Sequence, residues 1–311
     1  MAILCPEVIV LKARIIINPS AGRQLLQKQV DRIIDRLIEE KTIRHADVIR
    51  TQGAGDAYQA ARYLKSWEAD FVMAVGGDGT VNEVVNGLMD GHHQTPLAIL
   101  PAGTVNDFAH ALRLPRDTQS FCAMIRRFQT IPVDVGQAGE RFFLNVAAGG
   151  MLTDVAYKVP SEAKTVLGKM AYLISGAMDL QVQKFRPIHL RLESDERTFE
   201  EEVLLFIISN SSSVGGFRVL APQASVNDGR LDVLVIHKQN LFELMPVLIQ
   251  MVNGDHISNN RISYFQTSRI TISCLDQCPV PLDLDGEQGQ NLPVTFDVRP
   301  SALRLIVPAV G

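Results

Sequence analysis

Asp70-Phe71-Val72-Met73-Ala74-Val75-Gly76-Gly77-Asp78-Gly79-Thr80-Val81-Asn82-Glu83-Val84-Val85 is the stretch whose reading decides the fold. The run up to Val75 is short and almost wholly apolar, as in a strand buried on both faces. Gly76–Thr80 is a turn, and apolar residues then recur at helical spacing toward Met89. A buried strand feeding a helix through a glycine turn is the repeating element of a parallel α/β sheet.

The same layout recurs on either side. Arg14–Ile17 stops at Asn18-Pro19-Ser20-Ala21-Gly22-Arg23, after which Leu26, Val30, Ile33, Ile34, Leu37 and Ile38 mark a helix. A strand around Ala46–Arg50 leads through Thr51-Gln52-Gly53-Ala54-Gly55-Asp56 into a helical segment near Ala57–Lys65. Leu97–Leu100 ends at Pro101-Ala102-Gly103-Thr104 and opens a helix near Val105–Leu112. Four such units in succession predict a parallel sheet with helices on both faces. Their turns gather at the carboxyl ends of the strands, where open α/β sheets bind ligands.

The glycine turns carry the chemistry. Glycine lets a bulky anion approach the backbone, and the free N–H groups of the following helix make a phosphate site. Asp78 would repel a phosphate unless a divalent metal lay between them. The competing reading is a tight strand–helix turn with Asp78 as its N-cap. Thr104 is placed as an N-cap or phosphate donor, with Asn106-Asp107 in the first turn after it. Neither G-x-x-x-x-G-K-[ST] nor G-x-G-x-x-G occurs, so the phosphates must be held in another way.

After Pro132 the pattern changes. Phe142–Ala147, Ile188–Glu193, Val203–Asn210, Leu231–His237, Ile262–Phe265 and Arg269–Cys274 read as strands, with helices only near Glu162–Leu180 and Leu241–Asn253. This predicts an antiparallel sandwich or barrel. The strand Ser301–Val307 could return to either domain. The expected domains are residues 1–133 and 134–311.

The 311 residues are 46% hydrophobic and 21% charged, which excludes wholesale disorder. A net charge of -4 gives no signature of nucleic-acid binding, and no nucleic-acid partner is expected. No apolar stretch reaches the about 18 residues of a membrane span. The first residues carry Glu7 and no initial Lys or Arg, so a signal peptide is not expected. Cys5, Cys122, Cys274 and Cys278 are scattered; Cys274 and Cys278 lack a matching Cys/His pair, and free thiols in a reducing cytoplasm are expected.

Gly76-Gly77-Asp78-Gly79-Thr80-Val81-Asn82-Glu83-Val84 and Leu100-Pro101-Ala102-Gly103-Thr104-Val105-Asn106-Asp107-Phe108-Ala109 resemble the two signature segments of the diacylglycerol/sphingosine lipid kinase superfamily. The bacterial branch of diacylglycerol kinase B and YegS-type lipid kinases is the nearest likeness. It extends to Asn18-Pro19-Ser20-Ala21-Gly22, to Asn227-Asp228-Gly229 with Leu231-Asp232, and to Asp283-Leu284-Asp285-Gly286-Glu287. The resemblance implies a phosphofructokinase-like α/β domain that binds ATP, followed by a β-sandwich on the lipid-substrate side. Contacts to ATP would come from Asn18, Pro19, Ser20, Ala21, Gly22, Thr51, Gly76, Gly77, Asp78, Gly79, Thr80, Val81, Asn82 and Thr104. Asp78 would belong to the network around a catalytic Mg²⁺, and Asp285 or Glu287 would accept the proton. A second, structural Mg²⁺ would take the Asp228 side chain and the carbonyls of Ser225 and Arg230; an ordinary turn is the other reading of that loop.

Asp283, Asp285 and Glu287 alternate at strand period, so a continuing strand would point all three the same way. Their mutual repulsion would suit a base, and a bound cation would suit a carboxylate that stays ionised. In the implied reaction ATP and an alcohol meet at an interdomain cleft that closes. Diacylglycerol is the leading acceptor, ahead of phosphatidylglycerol or a sphingoid base, for a cytoplasmic, peripherally membrane-associated enzyme; a homodimer is compatible with the sequence. Lys158, Lys164, Lys169, Lys184 and Arg186 read first as a solvated helix face and second as contacts to anionic lipid. Two rival functions stand beside this one: phosphorylation of a soluble hydroxyl, as in NAD kinases, and a non-catalytic nucleotide- or lipid-binding module. Asp78→Ala and Asp285→Ala are each expected to lower turnover at least tenfold with the fold intact.

Overall fold

β1 (Leu11–Ile17) and β3 (Phe71–Gly76) lie side by side, and every residue of β3 is buried. Their apolar runs leave no polar face, as befits strands covered on both sides. The structure is a computed structural model, and it describes residues 10–21, 24–150, 187–276 and 278–309. Cys5, Gly22, Arg23, the helical pattern at 162–180 and the cations Lys158, Lys164, Lys169, Lys184 and Arg186 lie outside the described residues.

The chain divides into two units, one formed by residues 1–103, 113–131 and 303–311, the other by 104–112 and 132–302. In the first unit β2 (Ile43–Arg50), β1, β3 and β4 (Leu97–Pro101) form a parallel sheet in that order. The end of β15 (Val294–Ile306) adds Leu305 beside Leu97. The step from β1 to β2 runs one way across the sheet, and the steps to β3 and β4 run the other. Right-handed crossovers then put α1 (Gln24–Glu39) on one face, with α2 (Asp56–Arg62) and α3 (Asp78–Asp90) on the other. In agreement, α2 packs on α3, while α1 packs on α5 (Thr118–Arg127). On α1 the buried Val30, Ile33 and Leu37 recur at three- and four-residue spacing, which is the inward stripe of a surface helix.

The second unit is antiparallel. β7 (Val146–Gly150), β8 (Ile188–Ser194), β9 (Thr198–Ser209), β12 (Arg269–Cys274), β13 (Pro281–Leu284) and β14 (Glu287–Asn291) follow the order β14-β13-β7-β9-β8-β12-β15. β10 (Leu231–His237) pairs with β9 and with β11 (Ile262–Thr267). β5 (Thr130–Ala138) pairs with β6 (Arg141–Phe143). The first half of β9 pairs with β8 and its second half with β7. Its side chains alternate: Phe206 and Ile208 enter one apolar cluster, Leu205 and Ile207 another. The second cluster is covered by α6 (Leu241–Asn253), whose start is fixed by a capping box of Asn240 and Glu243.

An α/β unit with a β-rich second unit is the expected fold class. Two helices differ from the sequence reading: α5 has no counterpart in it, and α4 is only Asp107–Ala111, not Val105–Leu112, because Asn106 adopts a left-handed conformation (φ 51°) and starts the helix late. Phe206 is fully buried and meets the Phe296 ring edge-on at 6.3 Å. Phe206→Ala is expected to lower the unfolding free energy by about 3–5 kcal/mol in a urea titration.

Candidate active site

In the first unit the strand order reverses direction between β1 and β3, and the turns that follow those two strands flank that switch point. Ligands of open α/β sheets bind in the crevice at such a point. The amide of Asn18 donates to the carbonyl of Val75 at 2.9 Å, which ties the first turn to the end of β3. The Asn18 side chain accepts from the amide of Ser20 (3.0 Å) and donates through Nδ2 to Thr80 Oγ1 (3.0 Å). Thr51 follows β2, and its amide donates to the carbonyl of Ile17 at 2.9 Å. These bonds hold Asn18, Thr51 and Thr80 in one frame.

The glycine turn is tight for a measurable reason. A Cβ on Gly76 would lie 2.5 Å from the Thr80 side chain, and one on Gly77 would lie 3.4 Å from Cα of Gly103. The amide of Ala102 donates to the carbonyl of Gly76 at 2.9 Å, so the turns after β3 and β4 touch. Gly77 is the N-cap of α3 and Asp78 its first residue, which corrects the reading of Asp78 as a cap. Gly77, Asp78 and Gly79 are half-buried and Asn82 is buried. The first amides of a helix have no carbonyl partner within it, and the dipole there favours an anion. Thr104 is exposed and does not cap α4, since Asn106 holds that position and offers no side-chain cap bond.

The loop at Thr51–Gly55 is organised by carboxylates rather than left open. Asp56 accepts from the amides of Gln52 (2.7 Å) and Gly53 (3.0 Å). Glu83 of α3 accepts from those of Gly55 (3.0 Å), Ala57 (3.1 Å) and Tyr58 (3.4 Å), so it occupies the start of α2. This task of Glu83 is not legible in the sequence, because no local spacing reveals which helix start a glutamate will reach.

In the second unit Asp285 and Gly286 are the two central residues of the β13–β14 hairpin. Their φ values of 52° and 92° define a type I′ turn, for which Asp-Gly is a preferred pair. The strand therefore stops at Leu284, and Asp283, Asp285 and Glu287 do not share one strand face; the period-two expectation fails because the chain reverses. Asp283 accepts from the amide of Gly286 at 2.8 Å. Asp285 accepts from three successive amides: Leu144 through Oδ2 (2.7 Å), and Asn145 (3.0 Å) and Val146 (2.8 Å) through Oδ1. The amide of Asp285 donates back to the carbonyl of Val146 at 2.9 Å. Glu287 pairs with Leu284 through the hairpin ladder and its side chain is exposed.

Asp134, buried after β5 begins, accepts from the amides of Gly229 (2.7 Å) and Ser301 (2.7 Å). It thereby anchors the loop that carries Ser225, Asp228 and Arg230. In that loop Asp228 accepts from the amide of Arg230 (3.0 Å) through Oδ1, and Ser225 Oγ donates to Asn227 (3.0 Å). Asp232 is buried beyond it; burial pushes its carboxyl up to about 6, against hydrogen bonds from Tyr264 and Gln266. Asp107 accepts from Ser213 Oγ (3.1 Å) and from the amide of Gly216 (3.0 Å). Asp134 and the Asp107 contacts were not found from sequence, since nothing near them in the chain resembles their partners.

Residues 12–138 match the model of the diacylglycerol kinase catalytic domain, and residues 146–307 match that of the YegS C-terminal NAD kinase beta sandwich-like domain. The chain belongs to the diacylglycerol/YegS-like lipid kinase family. It is 38% identical over 293 residues to the diacylglycerol kinase of Bacillus subtilis (strain 168), covering 92% of each chain. It is 38% identical to that of Staphylococcus haemolyticus (strain JCSC1435) over 285 residues, covering 91% of this chain and 84% of the relative. A solved structure from Bacillus anthracis str. Sterne superposes with a TM-score of 0.81 at 26% identity, covering 95% of both chains. A second, named as a diacylglycerol kinase, gives 0.74 at 23% identity, covers 95% of this chain and 96% of that one, and supports the fold alone. This chain is thus a lipid kinase enzyme. Among the described residues no helix is long and apolar enough to cross a membrane.

Within this lipid kinase fold Asp285 is bound into the backbone, which revises the expectation that Asp285→Ala leaves the fold intact. Removing the carboxylate strands three amides, and a stability loss of about 1–3 kcal/mol is expected in urea denaturation. Glu287→Gln, made at an exposed position, should stay within about 0.5 kcal/mol of the parent.

Proposed function

We propose that this enzyme transfers the γ-phosphate of ATP to the hydroxyl of diacylglycerol, with Mg²⁺ as the divalent cation. The observation that carries the reading is the frame around the α3 N-terminus, where Asn18, Thr51 and Thr80 are tied together beside a glycine turn at the sheet's switch point. The amides of Gly77–Thr80 and the Asn18–Ser20 turn would bind the triphosphate, which is positioning and charge stabilisation rather than covalent chemistry. The glycines keep the backbone bare there, so the anion meets N–H groups directly.

The carboxylates take different tasks. Glu287 is exposed and uncommitted among the described residues, so it is the group that would accept the proton of the substrate hydroxyl. Asp285 has both oxygens engaged by amides, and it would act by fixing the hairpin and the direction of Glu287. Asp78, half-buried in the first turn of α3, would hold the Mg²⁺ associated with ATP. An all-oxygen donor set suits such a hard cation, and the same chemistry fits a second ion on the Asp228 carboxylate with the carbonyls of Ser225 and Arg230. When bound, Mg²⁺ held by Asp78 would supply positive charge to offset that of the transferring phosphoryl group. Phosphatidylglycerol and sphingoid bases are the next acceptors. The enzyme would meet its lipid as a peripheral protein on a cytoplasmic membrane surface, and a homodimer is compatible with this reading.

Transfer of labelled γ-phosphate from Mg·ATP to lipids in mixed micelles tests it, with NAD⁺ as a soluble acceptor alongside. Label should enter diacylglycerol, and Glu287→Gln should lower turnover at least about tenfold with unchanged thermal stability. Label in NAD⁺ alone, or full activity of the folded Glu287→Gln enzyme, would contradict the assignment.

A further inference from the structure

Cys274 is the last residue of β12, and Cys278 lies in the connection to β13. The thiol sulfurs of both, with a carboxylate oxygen of Asp276, come within 4.8 Å of one another. In the sequence the two cysteines have no partner pair; the third ligand-type atom belongs to Asp276, which lies between them in the chain. Two hydrogen bonds to one residue of the neighbouring strand hold the loop in this shape. The amide of Leu275 donates to the carbonyl of His189 at 2.8 Å, and the amide of His189 donates to Asp276 Oδ2 at 2.8 Å. The carboxylate is therefore oriented by β8 before any ion arrives, as second-shell bonds orient ligands in metal sites.

We propose that Cys274, Asp276 and Cys278 form a site for a thiophilic divalent cation of the zinc type, distinct from the oxygen-ligated Mg²⁺ of the phosphoryl transfer. Tetrahedral zinc takes sulfur at about 2.3 Å and carboxylate oxygen at about 2.0–2.2 Å, which puts ligand atoms about 3.3–3.8 Å apart. The observed cluster needs only a small contraction to reach that spacing. Soft thiolates select zinc over magnesium, which demands oxygen ligands. Partial burial, and secondarily the neighbouring Cys278, hold the Cys274 thiol above its usual range, opposed by the amide of Asp276. Binding of a divalent cation displaces the protons of both thiols, and its charge offsets the repulsion between the thiolates so formed. Binding therefore releases protons and tightens as the pH rises. Three protein ligands leave one tetrahedral corner for water. An ion here would tie the end of β12 to the segment that enters β13, and β13 leads directly into the hairpin of Asp285 and Glu287.

The test is titration of the reduced, metal-free full chain with Zn²⁺ in excess Mg²⁺, read by competition with a chromophoric chelator and by native mass spectrometry. One zinc per chain is expected, with affinity rising with pH. Asp276→Asn should weaken binding at least about tenfold. Cys274→Ser/Cys278→Ser should abolish it, and the single change at exposed Cys278 repeats the test should the double variant fail to fold. Absence of zinc uptake by the reduced chain, or uptake unchanged in the folded serine variants, would overturn the proposal. A mass lower by two hydrogens after mild oxidation of a chain that takes up no zinc would assign the pair to a disulfide instead.

Discussion

No side chain fits at Gly76, and much of the first unit follows from that constraint. Its missing Cβ is the space that Thr80 occupies, and Thr80 in turn receives the Asn18 amide group. The backbone of β3 can therefore turn into α3 while its carbonyl still bonds to the start of the next turn, at Ala102. Three strand ends are locked together by short bonds rather than by loop packing. The result is a rim of bare backbone beside a helix start, where the dipole favours an anion.

The second unit solves a different problem with a carboxylate. Asp285 sits in a turn that demands positive φ, and its side chain takes the amides of three successive residues leading into β7. The hairpin is thus fastened to its neighbour at the tip as well as along the β13–β7 ladder. That arrangement gives one acidic residue to the architecture and leaves the next, Glu287, on the surface. Two carboxylates separated by one glycine come to have unlike surroundings because only the Asp285 side chain accepts the amides of Leu144–Val146.

The sequence showed the α/β organisation because every strand–turn–helix unit is local: the apolar run, the glycine and the helical period lie within about 20 residues. The antiparallel strands β8 to β12 were legible as apolar or alternating runs and α6 by its period, whereas β5, β13 and β14 were not. What escaped was set by distant partners. Glu83 reaches a helix start 25 to 28 residues away in the chain, and Asp134 bonds amides 95 and 167 residues away. The carboxylate stripe at Asp283, Asp285 and Glu287 misled because Asp-Gly can continue a strand on paper but reverses it in the fold. The family resemblance, carried by five separated segments, assigned expected roles to residues that periodicity alone left as glycine turns.

Amide hydrogen exchange with and without Mg·ATP tests most directly whether the glycine turn at the α3 N-terminus holds the triphosphate. Slowed exchange confined to the segments around Asn18–Ala21 and Gly77–Asn82, with the Leu144–Val146 amides unchanged, is the predicted result. Protection absent from the α3 N-terminus while ATP is bound would contradict the account.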